Sequence, residues 1–136
     1  MTYLNVMAKR ILAVDDNEDI LDVLNLMLTI DGYQVETSLS PASIEKQITD
    51  FQPDLILLDI QMGSYNGLEI CKELKNNLYS SSIPVIIISS DDSIYHAVEK
   101  YGADGIIEKP FEMNTLLNKA ATFTEGRSTG YRRASA

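Results

Sequence analysis

The decapeptide DLILLDIQMG, residues 54–63, decides how this chain is read. Leu55 to Leu58 form an unbroken branched apolar run, the mark of a strand covered on both faces. The run ends in a carboxylate, Asp59. A second apolar run, RILAV at 10–14, ends in Asp15 and Asp16. Carboxylates at the ends of the greasiest strands need a reason, because taking them out of water is costly.

Outward from this stretch, short runs rich in Val, Ile and Leu alternate with amphipathic ones. Strands are expected at 10–14, 33–37 (YQVET), 54–59, 84–89 (PVIIIS) and 105–108 (GIIE). A first helix should run from Asn17 or Glu18 to about Asp31, and a second should start at Ser40-Pro41. A third, from Gly67 to Asn77, places Ile70, Cys71, Leu74 and Leu78 on one stripe. Ile94, Ala97, Val98 and Tyr101 mark a fourth, and Met113, Leu116, Leu117 and Ala120 a fifth.

Strand–helix alternation with short connections specifies an α/β fold: a five-stranded parallel sheet, doubly wound, with helices on both faces. The second run alternates as an edge strand would. The middle runs are the greasiest and belong at the centre. The expected order is 2-1-3-4-5, with its switch point between the first and third strands. The expected organisation is a leader at 1–8, one domain at 9–123 and a flexible tail at 124–136. That tail, TEGRSTGYRRASA, is poor in apolar residues. Its RRAS also resembles a site for basic-directed kinases.

The 136 residues suffice for one domain with a full core. Apolar content of 45% and a mean hydropathy of −0.06 suit a soluble protein. No apolar run approaches the roughly 18 residues of a membrane span, and MTYLNVMAKR lacks the apolar core of a secretory signal. Cys71, the single cysteine, excludes an internal disulfide. A cytoplasmic location is expected. No membrane partner is expected, and a net charge of −9 with no basic face argues against nucleic acid and favours cationic or metal partners.

In an open parallel sheet, ligands bind beyond the carboxyl ends of the strands at the switch point. Asp15 and Asp16 end the first strand and Asp59 the third, so three carboxylates should meet there. Ser89 ends the fourth strand and Lys109 follows the fifth. Clustered carboxylates repel, and Mg²⁺, a hard cation with oxygen ligands, relieves the repulsion. A carboxylate can also attack a phosphoryl group and form an aspartyl phosphate. Asp59 stands alone and is the better nucleophile; the Asp15–Asp16 pair suits metal. One of that pair could instead cap the first helix. His96 reads as solvated and Cys71 as core. On the first helix, Ile20, Leu24, Met27 and Leu28 form the core stripe. Val23, Leu26 and Ile30 widen the apolar arc, either as deeper core or as a docking patch.

Four pieces in order carry a resemblance: VDDN (14–17), LILLDIQMGSYNG (55–67), PVIIISS (84–90) and GADGIIEKPF (102–111). Together they resemble the receiver domain of bacterial two-component response regulators, in stand-alone form, with its flavodoxin-like sheet. The resemblance implies that Asp59 is the phosphoacceptor. It implies that Asp16 binds Mg²⁺ directly, Asp15 mainly through water, and the backbone carbonyl of Gln61 as a further oxygen. Ser89 would hydrogen-bond the phosphoryl group, Lys109 would contact it by charge, and Lys109-Pro110 would be cis. The donor would be a histidine kinase, a histidine phosphotransfer protein or a small molecule such as acetyl phosphate. Output would be contact with a downstream protein through the face of helix four, strand five and helix five. Such a chain is no separate enzyme; it catalyses only its own phosphorylation and dephosphorylation.

There are departures from the family pattern. Gly63 stands where a proline is common, implying a more mobile loop. Ile106 stands where Tyr or Phe is frequent, which removes a ring from the coupling to Ser89. Gln61, Ser90 and Asp91 flank the site and should affect phosphate lifetime. Other functions fit worse. A magnesium phosphatase of the aspartyl-phosphate type needs an acid where Gln61 stands. A flavin-binding protein needs a phosphate loop where DDNED would repel phosphate. A phosphate-independent receiver, acting only as an interaction module, is the alternative that the intact acids, serine and lysine argue against.

Overall fold

The computed structural model describes residues 8–125. The expected leader and tail lie almost wholly outside the described residues, and so does the RRAS motif. Strand β1 (Arg10–Val14), helix α1 (Glu18–Ile30) and strand β2 (Gln34–Ser38) come first. A 3₁₀ turn (Pro41–Ser43) leads into α2 (Ile44–Phe51), then β3 (Leu55–Leu58). A small hairpin of β4 (Gln61–Met62) and β5 (Tyr65–Asn66) precedes α3 (Gly67–Asn76). Next come β6 (Val85–Ser89), a 3₁₀ segment (Asp92–His96) and α4 (Ala97–Tyr101). The chain ends in β7 (Gly105–Glu108) and α5 (Met113–Thr124).

The main sheet has the order β2-β1-β3-β6-β7, all parallel, which is the expected 2-1-3-4-5 once the hairpin is set aside. Alternation along each strand sorts the core into two layers. Ile11, Ala13, Leu55, Leu57, Ile86 and Ile88 face α1 and α5. Leu12, Val14, Ile56, Leu58, Val85 and Ile87 face α2, α3 and α4. β3 is buried at all four positions, so truncating any of these leucines or Ile56 to Ala should cost about 2–5 kcal/mol.

Register delivers the acids. Val14 pairs with Leu58, so the residues that follow, Asp15 and Asp59, leave the sheet side by side. The amide of Asp59 still donates to the Val14 carbonyl at 3.1 Å, extending the ladder by one bond.

The helices differ from the sequence expectation where packing overrides periodicity. In α1 the buried positions are Leu21, Leu24 and Leu28, while Ile20 and Met27 are only partly covered. Val23, Leu26 and Ile30 are 40%, 63% and 69% exposed, so the wider arc is surface and not deeper core. α3 ends at Asn76 and Leu78 is 98% exposed, because the turn at Asn77 points it off the helical stripe. The fourth helix starts as a 3₁₀ segment that buries Ile94, and Val98 faces solvent. In α5, Leu116 and Ala120 are buried while Met113 is exposed. That helix runs one residue beyond the expected domain limit, to buried Thr124, whose hydroxyl donates to the Ala120 carbonyl. Among the described residues, no helix is long and apolar enough to cross a membrane.

Candidate functional site

The acidic pair is not a helix cap. Asn17 caps α1, its side-chain oxygen accepting from the amides of Asp19 (2.9 Å) and Ile20 (3.3 Å). Its own amide donates to Asp15 Oδ1 at 2.9 Å and so helps orient that buried carboxylate. Asp16, one residue on, is exposed. Asn17 is the contributor missed from sequence, although Asn is a strong capping residue and could have been read as one.

Oxygens of Asp15, Asp16 and Asp59 all lie within 4.8 Å of one another. Lys109 Nζ donates to Asp15 Oδ2 at 2.7 Å and stands 3.7 Å from Asp59 Oδ1. The Ile60 amide donates to the same Asp59 oxygen at 2.8 Å. Burial raises the Asp59 pKa above its ordinary range, and the charges of Asp15 and Asp16 add to the rise. Lys109 and the Ile60 amide oppose it. One ammonium against three carboxylates leaves the cluster anionic. At an effective dielectric of about 20, each like pair at this spacing costs on the order of 3 kcal/mol. The ligand atoms are all hard oxygens, with no cysteine or histidine among them. A hard divalent cation fits this set.

Ser89 is buried at the end of β6 and its hydroxyl accepts from the Asp91 amide at 3.1 Å. It lines a cavity of about 30 Å³ together with Lys109, Tyr95 and Glu108, enough space for a water molecule. Lys109 is held beside it: the Lys109 amide donates to the Ser89 carbonyl at 3.0 Å, and the Lys109-Pro110 bond is cis. The Gln61 side chain donates to Asp91 Oδ2 at 2.8 Å, tying the segment after Asp59 to the segment after Ser89. Ser93 donates twice to the other Asp91 oxygen and lowers the Asp91 pKa. The Gln61 backbone lies in β4, opposite Asn66.

Two glycines shape the segment that follows Asp59. Gly63 has φ +63° and opens the two-residue turn between Met62 and Tyr65, which pair across the β4–β5 hairpin. Gly67 lies so close to Asp59 that a Cβ there would fall 1.8 Å from the Asp59 carbonyl oxygen. Its amide donates to the Ile60 carbonyl at 2.6 Å. Sequence reading also missed the bond from the Tyr95 hydroxyl to Glu108, which needs the tertiary fold to bring the two together. His96 is exposed. Cys71 is buried, with burial pushing its thiol up to about 11, as an inert core residue would show.

A doubly wound parallel sheet with an acid triad, a lysine and a hydroxyl at its carboxyl ends defines a receiver-type signalling domain. This chain belongs to the response regulator receiver domain family, which it matches over residues 11–121. It is 38% identical over 116 residues to the nisin biosynthesis regulatory protein NisR of Lactococcus lactis subsp. lactis, covering 83% of this chain and 49% of that one. It is 37% identical over 111 residues to the response regulator ArlR of Staphylococcus aureus (strain Mu50 / ATCC 700699), covering 79% and 49%. The chain therefore spans about half the length of the curated relatives it matches. Among solved structures it is similar to a CheY-like receiver domain protein of Methanospirillum hungatei JF-1, with TM-score 0.78, 27% identity, and 86% and 94% of the two chains covered. The receiver domain of a histidine kinase from Syntrophus aciditrophicus gives TM-score 0.80 and 27% identity, covering 93% and 99%.

Proposed function

We propose that this chain is a phosphoacceptor switch of a two-component phosphorelay. It takes a phosphoryl group onto Asp59 from the phosphohistidine of a histidine kinase or histidine phosphotransfer protein. The observation that carries this reading is the position of Lys109 Nζ, bound to Asp15 and within 3.7 Å of Asp59. Both the Ile60 amide and Lys109 contact Asp59 Oδ1, so Oδ2 is the oxygen assigned to attack. It forms an O–P bond as the P–N bond to the donor imidazole breaks, leaving an acyl phosphate on Asp59. Lys109 and Ser89 are assigned to the phosphoryl oxygens, by charge and by hydrogen bond.

Asp15, Asp16, Asp59 and the backbone carbonyl of Gln61 would hold Mg²⁺. When bound, the metal neutralises charge on the carboxylates and on the transferring group. Gln61, Ser90 and Asp91 flank the site, and the Gln61–Asp91 bond joins two of them, so these residues are assigned an influence on phosphate lifetime. The chain acts on no other substrate and works in the cytoplasm.

Output runs through protein contact. Tyr95, Val98 and Met113 are exposed on the α4–β7–α5 side. Beside them lies a groove of about 380 Å³ lined by Ile106, Phe111, Thr115 and Lys119. The exposed α1 residues Val23, Leu26 and Ile30 are assigned to the phosphodonor.

The deciding experiment is incubation with acetyl phosphate and Mg²⁺, followed by intact-mass measurement. One added phosphoryl group is expected in the native chain and none in Asp59→Asn. No gain from either acetyl phosphate or a phosphohistidine protein would favour the phosphate-independent interaction module instead.

A further inference from the structure

A groove of about 610 Å³ between α2 and α3 shares no residue with the acid triad. Ile44 and Leu74 form its apolar floor. Tyr65, from the hairpin, and Tyr79, from the turn after α3, line it and remain 43% and 45% exposed. Glu45 on α2 and Glu73 on α3 bring carboxylates to the same space. Burial, and then the charges of Glu45 and Glu73, raise the Tyr79 pKa, so both carboxylates lie near enough to act on this ring. The cation on the rim, Lys46, is already paired with Asp50 at 2.5 Å.

We infer that this groove docks a basic segment of a partner protein, seating an arginine side chain against the tyrosines with its guanidinium toward Glu45 and Glu73. The chemistry favours a basic segment and, within it, arginine over lysine. Its methylene stem covers the apolar floor. Its flat cation stacks on aromatic faces and forks to carboxylates, which a lysine ammonium does less well. The whole chain carries a net charge of −9, which draws a basic partner in. An acidic or purely apolar segment would strip water from two carboxylates and leave them unpaired.

The test uses the full chain, labelled with ¹⁵N, and two peptides of one apolar sequence. One peptide carries a central arginine; the other carries citrulline, its uncharged near-isostere. The arginine peptide should shift amides of the groove residues saturably by millimolar concentration and bind at least about fivefold tighter than the citrulline peptide. Glu45→Gln with Glu73→Gln, both exposed positions, should weaken binding at least about fivefold. A charge-matched pair elsewhere, Asp31→Asn with Glu125→Gln, should change it less than about twofold. Tyr79→Leu, which keeps an apolar wall, should weaken it about threefold. Equal loss in the charge-matched pair would reduce the effect to general attraction and overturn the proposal. So would equal binding of citrulline, shifts outside the groove, or no binding of either peptide. Free arginine amide binding as tightly as the peptide would assign the groove to a small organic cation and overturn the protein partner.

Discussion

Lys109 is bound to Asp15, 2.7 Å from its Oδ2, and reaches Asp59 only at 3.7 Å. The pair joins residues 94 positions apart and is largely buried on both sides. Lys109 is therefore held by an acid that we do not assign as the nucleophile, at a distance from which it can turn to a phosphoryl group on Asp59. Lys109→Gln keeps some length but removes the charge. Initial labelling by acetyl phosphate should fall at least about tenfold by intact mass, since a charge-assisted contact is lost. Labelling at the native rate would remove Lys109 from the mechanism.

The raised Asp59 pKa has a consequence for folding. Between the ordinary carboxyl value of 3.8 and the raised folded value, the native chain binds more protons than the unfolded one. Stability then falls as pH rises through that window, and the penalty is complete above the folded pKa. Asp59→Asn removes it. In metal-free buffer the variant should be more stable than the native chain at neutral pH, by urea midpoint, and the gap should close below pH 3.8. Added Mg²⁺ should narrow the neutral-pH gap by stabilising the native chain more than the variant, which keeps Asp15 and Asp16 but lacks the third carboxylate. A gap independent of pH would show that charge at Asp59 is not its source.

Gly67 is required by contact, not by dihedral angle. A Cβ would overlap the Asp59 carbonyl at 1.8 Å, and the obstacle is backbone. Gly67→Ala should therefore cost about 3 kcal/mol or more in urea unfolding, or prevent folding. A loss under about 0.5 kcal/mol would mean that the α3 start shifts freely.

Gly63 makes the opposite kind of case. Proline is common at this position in the family, yet φ here is +63° and the proline ring fixes φ near −65°. Gly63→Pro should destabilise the chain by about 1–3 kcal/mol and disrupt the β4–β5 hairpin. A stabilised variant would show that this turn readily takes the family's usual conformation.

Leu26 is 63% exposed at the centre of an apolar strip on α1. Leu26→Asp should slow transfer from a phosphohistidine protein about tenfold or more while leaving acetyl phosphate labelling within about twofold. Equal loss with both donors would point to damage at the acid site and not to docking.

The chain's alternation of apolar runs with helical stripes was enough to specify the sheet, its parallel sense and its strand order, because strand burial and connection length are local properties of sequence. The acids, Ser89 and Lys109 were legible for the same reason: each directly follows or ends a recognisable strand. Periodicity alone could not say which α1 residues are covered, and it set Leu78 on the stripe of Cys71 and Leu74 although it is 98% exposed. That depends on where a helix stops and what lies opposite, which no single segment encodes. Only the tertiary structure decided that Asn17 and not an aspartate caps α1, that Gln61 reaches Asp91, and that Gly67 lies against Asp59. It alone brought Glu45, Glu73 and the two tyrosines around one groove. Those relations are distances between segments remote along the chain, and they exist only once the sheet register has closed.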